Sequence, residues 1–94
     1  MNGKQVLEQA SFLAERVRKE AGGDVKAQVA LAWRLAYAVE PTAAEMESAT
    51  SFIARQTAQL ASQPRAKGDP EPGVQALASF CQALLGSNRF LYVD

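Results

Sequence analysis

Alanine supplies 18 of the 45 apolar residues in this 94-residue chain. It is the strongest helix former and adds almost no bulk. A chain built this way therefore suits closely packed helices better than sheets or a deep chamber. The remaining 27 apolar residues are larger and have to fill the core. A chain of this length can bury about 64% of the surface its extended form exposes, enough for one core. A single domain is expected across residues 1–94, since domains commonly run to about 100–150 residues.

Apolar positions recur at helical spacing in four segments. In the first, Val6, Leu7, Ala10, Leu13, Ala14, Val17 and Ala21 form a stripe that Phe12 is expected to widen. Asn2 is a candidate N-cap, and Gly22-Gly23 should stop the helix near Ala21. Asp24 then caps a second segment running to Val39. Apolar residues cover most of its circumference from Leu31 onward, which predicts that this helix is central. Glu40-Pro41 ends it, because the residue before proline disfavours the helical region. Thr42-Ala43-Ala44-Glu45 reads as a capping box. The third helix then continues to about Ala61, with Met46, Ala49, Phe52, Ile53, Gln56 and Leu60 facing inward.

Residues 62–73 contain three prolines and two glycines with no apolar period, and read as a mobile surface loop. A fourth helix is expected from about Val74 to Gly86, with Leu77, Ala78, Cys81, Leu84 and Leu85 inward and a reversed backbone at Gly86. The closing residues Phe90, Leu91, Tyr92 and Val93 are too apolar to be left in water, and Asn88 suits the bend that would return them to the bundle. The predicted fold is an all-α, four-helix bundle-like domain with a docked C-terminal tail.

Several kinds of chemistry are excluded or disfavoured. Histidine is absent, which removes the commonest general base and metal ligand. Cys81 is the sole cysteine, so neither an internal disulfide nor a multi-thiolate zinc site can form. Its apolar surroundings predict a small buried hydrophobe. Glu45 and Glu47 point to different sides of a helix, and Glu8 and Glu15 lie on an exposed face, so neither pair suits general acid–base work. Ten Lys and Arg balance ten Asp and Glu, which leaves no basic face for nucleic acid. The longest basic cluster, Arg16, Arg18 and Lys19, is flanked by Glu15 and Glu20, and Glu15 and Lys19 have the spacing of a surface ion pair. A helix-turn-helix reading fails because Glu45 and Glu47 would open the recognition helix and repel phosphate. No apolar stretch approaches the ~20 residues needed to span a bilayer, and no membrane insertion is expected.

The stretch Leu77-Ala78-Ser79-Phe80-Cys81-Gln82-Ala83-Leu84-Leu85-Gly86-Ser87-Asn88-Arg89-Phe90-Leu91-Tyr92-Val93-Asp94 resembles the closing segment of an uncharacterised C-terminal domain. That domain occurs in large proteins of Planctomycetes, often downstream of a cytochrome-c-like segment. Asn2-Gly3 with Val6-Leu7-Glu8-Gln9-Ala10, and Trp33-Arg34-Leu35-Ala36 with Pro41-Thr42 and Glu45, are similar to further stretches of it. The family usually has a Gly-Arg pair before Pro-Thr, where this chain has Ala38-Val39. The resemblance implies a C-terminal fragment of a longer, exported protein and supplies no catalytic residue. Haem attachment needs Cys-x-x-Cys-His, which this chain lacks, so any haem would belong elsewhere in the parent.

The expected role is a non-catalytic packing or interaction module, its partner the parent's upstream domain or another protein. No catalytic, cofactor-binding or metal-binding residue is assigned. The alternative is an accessory domain in which Arg34, Glu45 or Asn88 completes an enzyme site located mainly upstream.

Overall fold

The computed structural model describes residues 3–86. Four helices follow in order: α1 (Gly3–Ala21), α2 (Val25–Tyr37), α3 (Ala43–Ala61) and α4 (Pro72–Gly86). They alternate in direction. The first turn of α1 meets the last turn of α4, where a Cβ on Gly86 would lie 3.2 Å from Val6 Cγ1. At that same end the Tyr37 hydroxyl, on the last turn of α2, donates to the Leu84 carbonyl. The opposite end gathers the close of α1, the start of α2 and the start of α4. The candidate N-cap Asn2, the bend at Asn88 and the tail residues Phe90, Leu91, Tyr92 and Val93 lie outside the described residues.

Alanine does what its abundance predicted. Ala10, Ala14, Ala32, Ala49 and Ala76 are all buried, and they sit where helices draw close. Trp33, Phe80, Leu77 and Leu84 supply the bulk, each with at most 1% of its surface exposed. Trp33 meets Tyr37 edge-on at 5.6 Å between ring centroids, and Phe80 tilts against Phe52 at 6.5 Å. Burying such side chains contributes about 1.5–3 kcal/mol each before the entropy of ordering them.

The expectation that α2 is central does not hold. The central element is α4, which packs extensively against both α1 and α3 and also touches α2, while α1 and α3 do not meet. Much of the apparent apolarity of α2 is alanine, which can face water at little cost. Its larger members Leu31 and Leu35 are only half-buried, and Val25 is exposed. By contrast α4 turns Ala76, Leu77, Phe80, Cys81 and Leu84 inward across a broad arc. Phe12 departs from expectation too. It is 72% exposed on the outer side of α1 and does not widen the buried stripe.

The helix ends explain themselves. At the end of α1, Gly22 adopts φ +70°, and its amide donates to the Arg18 carbonyl at 3.0 Å. Asp24 caps α2 by accepting from the Lys26 amide at 3.1 Å. That helix stops at Tyr37, two residues earlier than expected, because Ala38 takes a left-handed φ of 62° and donates its amide to the Arg34 carbonyl at 2.8 Å. The capping box on α3 is complete: Glu45 N–H donates to Thr42 Oγ1 at 3.1 Å, and Thr42 N–H donates to Glu45 Oε1 at 2.7 Å.

The loop is shorter than its composition suggests. It covers 62–71, and Pro72 and Gly73 belong to α4, where the missing proline N–H is no loss in a first turn. Asp69 organises it by exchanging bonds with Ala66, at 2.7 Å and 3.1 Å. Gly86 is helical, without the reversed backbone expected of it, and its lack of a side chain serves the close approach to Val6. On α1 the surface ion pair is Arg16 with Glu20 at 2.7 Å, where Glu15 with Lys19 was expected. Both partners are well exposed, so it contributes at most about 0.5 kcal/mol.

Two substitutions test these ends. Thr42→Ala removes the cap and should lower unfolding free energy by about 0.5–2 kcal/mol in urea melts. Ala38→Gly should do the opposite. It relieves a left-handed cost of about 1–2 kcal/mol against about 0.5–1 kcal/mol of added chain entropy, for a net gain of about 0.5–1 kcal/mol. A midpoint that stays put for either variant contradicts the corresponding geometry.

Candidate functional site

A concavity lies where α1 ends and α2 and α4 begin. It encloses about 650 Å³. Its floor is apolar, made by Ile53 of α3 with Val74 and Leu77 of α4. This end of the bundle stays open because Gly22 and Gly23 present no side chains to close it. Around the rim stand Arg18 and Lys19 on one hand and Glu15 and Glu71 on the other, so the charges offset each other. Glu71 also lies 3.9 Å from Arg65 on the adjoining loop.

Gln28 is the one buried polar side chain among the described residues, at 8% exposure. Its amide nitrogen donates to the Gly22 carbonyl at 2.6 Å, which ties the start of α2 to the close of α1. Thr57 lines the same cleft, but its hydroxyl is already committed to the Ile53 carbonyl at 2.7 Å. The cleft therefore offers an apolar floor with a mixed rim and no convergent set of free polar groups. No cluster of three metal-ligating side chains occurs among the described residues.

Arg34 and Glu45 lie at the other end of the bundle, flanking the turn from α2 to α3. Arg34 bonds Glu40 at 3.1 Å, on the exposed surface. The carboxylate of Glu45 is engaged with the amide of Thr42. Each serves the local backbone or its neighbour. Asn88 lies outside the described residues.

Tyr37 makes a polar contact that apolar periodicity alone does not show. Its hydroxyl donates to the Leu84 carbonyl and so bolts α2 to α4. Burial raises its pKa above the ordinary 10.0, and the negative charge of Glu45 adds to the rise. The phenol therefore remains a donor. The available signal was a tyrosine on the core side of a final helical turn, where a buried hydroxyl needs a partner.

Cys81 is fully buried, and desolvation pushes its thiol from 9.0 up to about 12. It behaves as a hydrophobe, because the thiolate is the reactive form and burial suppresses it. No helix among the described residues is long and apolar enough to cross a membrane. The chain matches no protein-family model, no curated protein and no solved structure.

The thiol supplies a direct test. At pH 8 a thiol reagent should label native Cys81 at least about 100-fold more slowly than the denatured chain. A raised folded pKa also means that its contribution to stability is complete below pH 9.0 and is lost as pH climbs towards about 12. Stability should therefore fall over that window, and Cys81→Ala should flatten the fall. Fast native labelling contradicts the buried assignment.

Proposed function

We propose that this chain is a non-catalytic helical interaction module of a larger, exported protein, as its resemblance to the Planctomycete C-terminal domain implies. The observation that carries this reading is Phe12. At 72% exposure it is an aromatic side chain that the fold itself does not use. It stands on the outer side of α1 with Glu8, Glu15 and Arg16 one turn away along the same surface. An apolar anchor within a charged rim is the usual plan of a protein-binding surface, and aromatic anchors there commonly contribute at least 2 kcal/mol. The partner in this reading is the upstream part of the same parent protein.

Two further observations support a role without chemistry. Cys81, the sole cysteine, has a thiol held protonated by burial. Arg34 and Glu45, two of the three residues that an accessory catalytic role would use, are both engaged with neighbours in this chain.

Amide exchange in the intact parent, compared with the isolated 94-residue chain, tests the reading. Exchange along α1 should be slower in the parent, with the protection centred on Phe12. Phe12→Ser in the parent should return it to the isolated rate. Equal protection of α1 in both contexts overturns the proposal.

A further inference from the structure

The cleft between the close of α1 and the starts of α2 and α4 has two features that neither backbone nor packing requires. The first is its glycines. Of the three that line it, only Gly22 takes the left-handed φ, +70°, that favours glycine. Gly23 and Gly73 lie outside that region, and a Cβ on either would meet no atom within 4 Å. Gly73 also stands in the first turn of α4, where alanine would lose less chain entropy on folding. Both positions would accept a side chain, and a large one would take up space beside the floor of Ile53, Val74 and Leu77. Glycine leaves that space open, at about 650 Å³. Small-molecule sites commonly enclose about 300–1,000 Å³.

The second feature is the carboxamide of Gln28. Its nitrogen is fixed by the Gly22 carbonyl, which can only accept, so the other arm of the amide is the oxygen. Among the described residues no group donates to that oxygen, and no buried side-chain nitrogen or oxygen lacks a partner. The oxygen of this 8%-exposed residue therefore reaches open space, and the space that Gln28 borders is the cleft. It can only accept, so its complement is a hydrogen-bond donor. The rim sets Arg18 and Lys19 against Glu15 and Glu71, and so favours no ion of either sign.

From the open glycines, the apolar floor and the unbonded oxygen, we propose that this cleft binds a neutral, largely apolar small molecule carrying one N–H or O–H donor. The donor bonds Gln28 Oε1, and the apolar body rests on Ile53, Val74 and Leu77. Phe12 takes no part in the cleft, so this inference does not rest on the functional reading above.

Titration of the 94-residue chain with N-benzylbutanamide, followed in amide NMR spectra, provides the test. The probe has an aromatic end, an aliphatic end and one N–H. It should shift Gly22, Gly23, Val74 and the Gln28 side-chain amide saturably, with a Kd of about 1 mM or tighter. Benzyl butanoate, the ester of the same shape, sets an oxygen where the N–H was and should bind at least about tenfold more weakly. Gly23→Leu and Gly73→Leu, each made singly, should keep the folded spectrum and weaken the amide at least about tenfold. No saturable shift by about 5 mM amide overturns the proposal. So do equal affinities for amide and ester, or undiminished binding by the folded leucine variants. The ester comparison uses the unaltered chain, and it decides the matter even where a leucine variant fails to fold.

Discussion

Phe80, Leu77 and Leu84 give α4 three large side chains with almost no contact with water, and α1 and α3 are held together through the helix that carries them. Since α1 and α3 do not touch each other, the bundle is a row of three helices with α2 laid across it. Removing the grip of α4 would leave the outer pair joined only through α2, whose contacts with each are fewer. The alanines at positions 10, 14, 49 and 76 let that row close tightly, because backbone-to-backbone distance between helices follows the size of the side chains at the contact. The tyrosine bolt from α2 to the Leu84 carbonyl adds a directional constraint to packing that is otherwise apolar and non-directional.

Residues that act on their immediate neighbours were legible in the sequence. Thr42 and Glu45 define a cap within four residues, and the structure forms both of its bonds. Gly22 stops α1 because, lacking a side chain, it takes the left-handed conformation freely. The order of helices in space was not legible, because alanine is ambiguous. It scores as apolar in any periodicity argument, yet it tolerates either environment, so Ala36 and Ala38 helped make α2 look more buried than it is. Proline misled at the start of α4 for a related reason. Pro72 reads as a breaker within Asp69-Pro70-Glu71-Pro72-Gly73, although a first helical turn accepts it readily.

For the candidate site, the sequence indicated mainly what was missing, and it did so through histidine and cysteine. The cleft at the glycine end depends on how four separate elements meet, and no local pattern encodes that. Arg34 and Glu45 stood out because charged residues beside an apolar helix attract notice. Their partners, Glu40 and the Thr42 amide, are close in sequence, so both belong to the architecture of one turn. Phe12 was misplaced for the opposite reason. A large aromatic among helical apolar positions is ordinarily assigned to the core, and only the angular position of Phe12 relative to Ala10, Ala14 and Val17 shows that it faces away.

The antiparallel seam between α1 and α4 has a consequence for how such a unit sits in a longer polypeptide. Its first and last described turns touch, at Val6 and Gly86, so a path along the chain enters and leaves through one end of the bundle. The other end, with the glycine turn and the loop over 62–71, is free of that traffic. Geometrically the unit is a cassette. Joining the two contiguous ends with a short linker and reopening the chain within the exposed loop would preserve every helix and every contact in the core, because neither cut nor join crosses a packed surface.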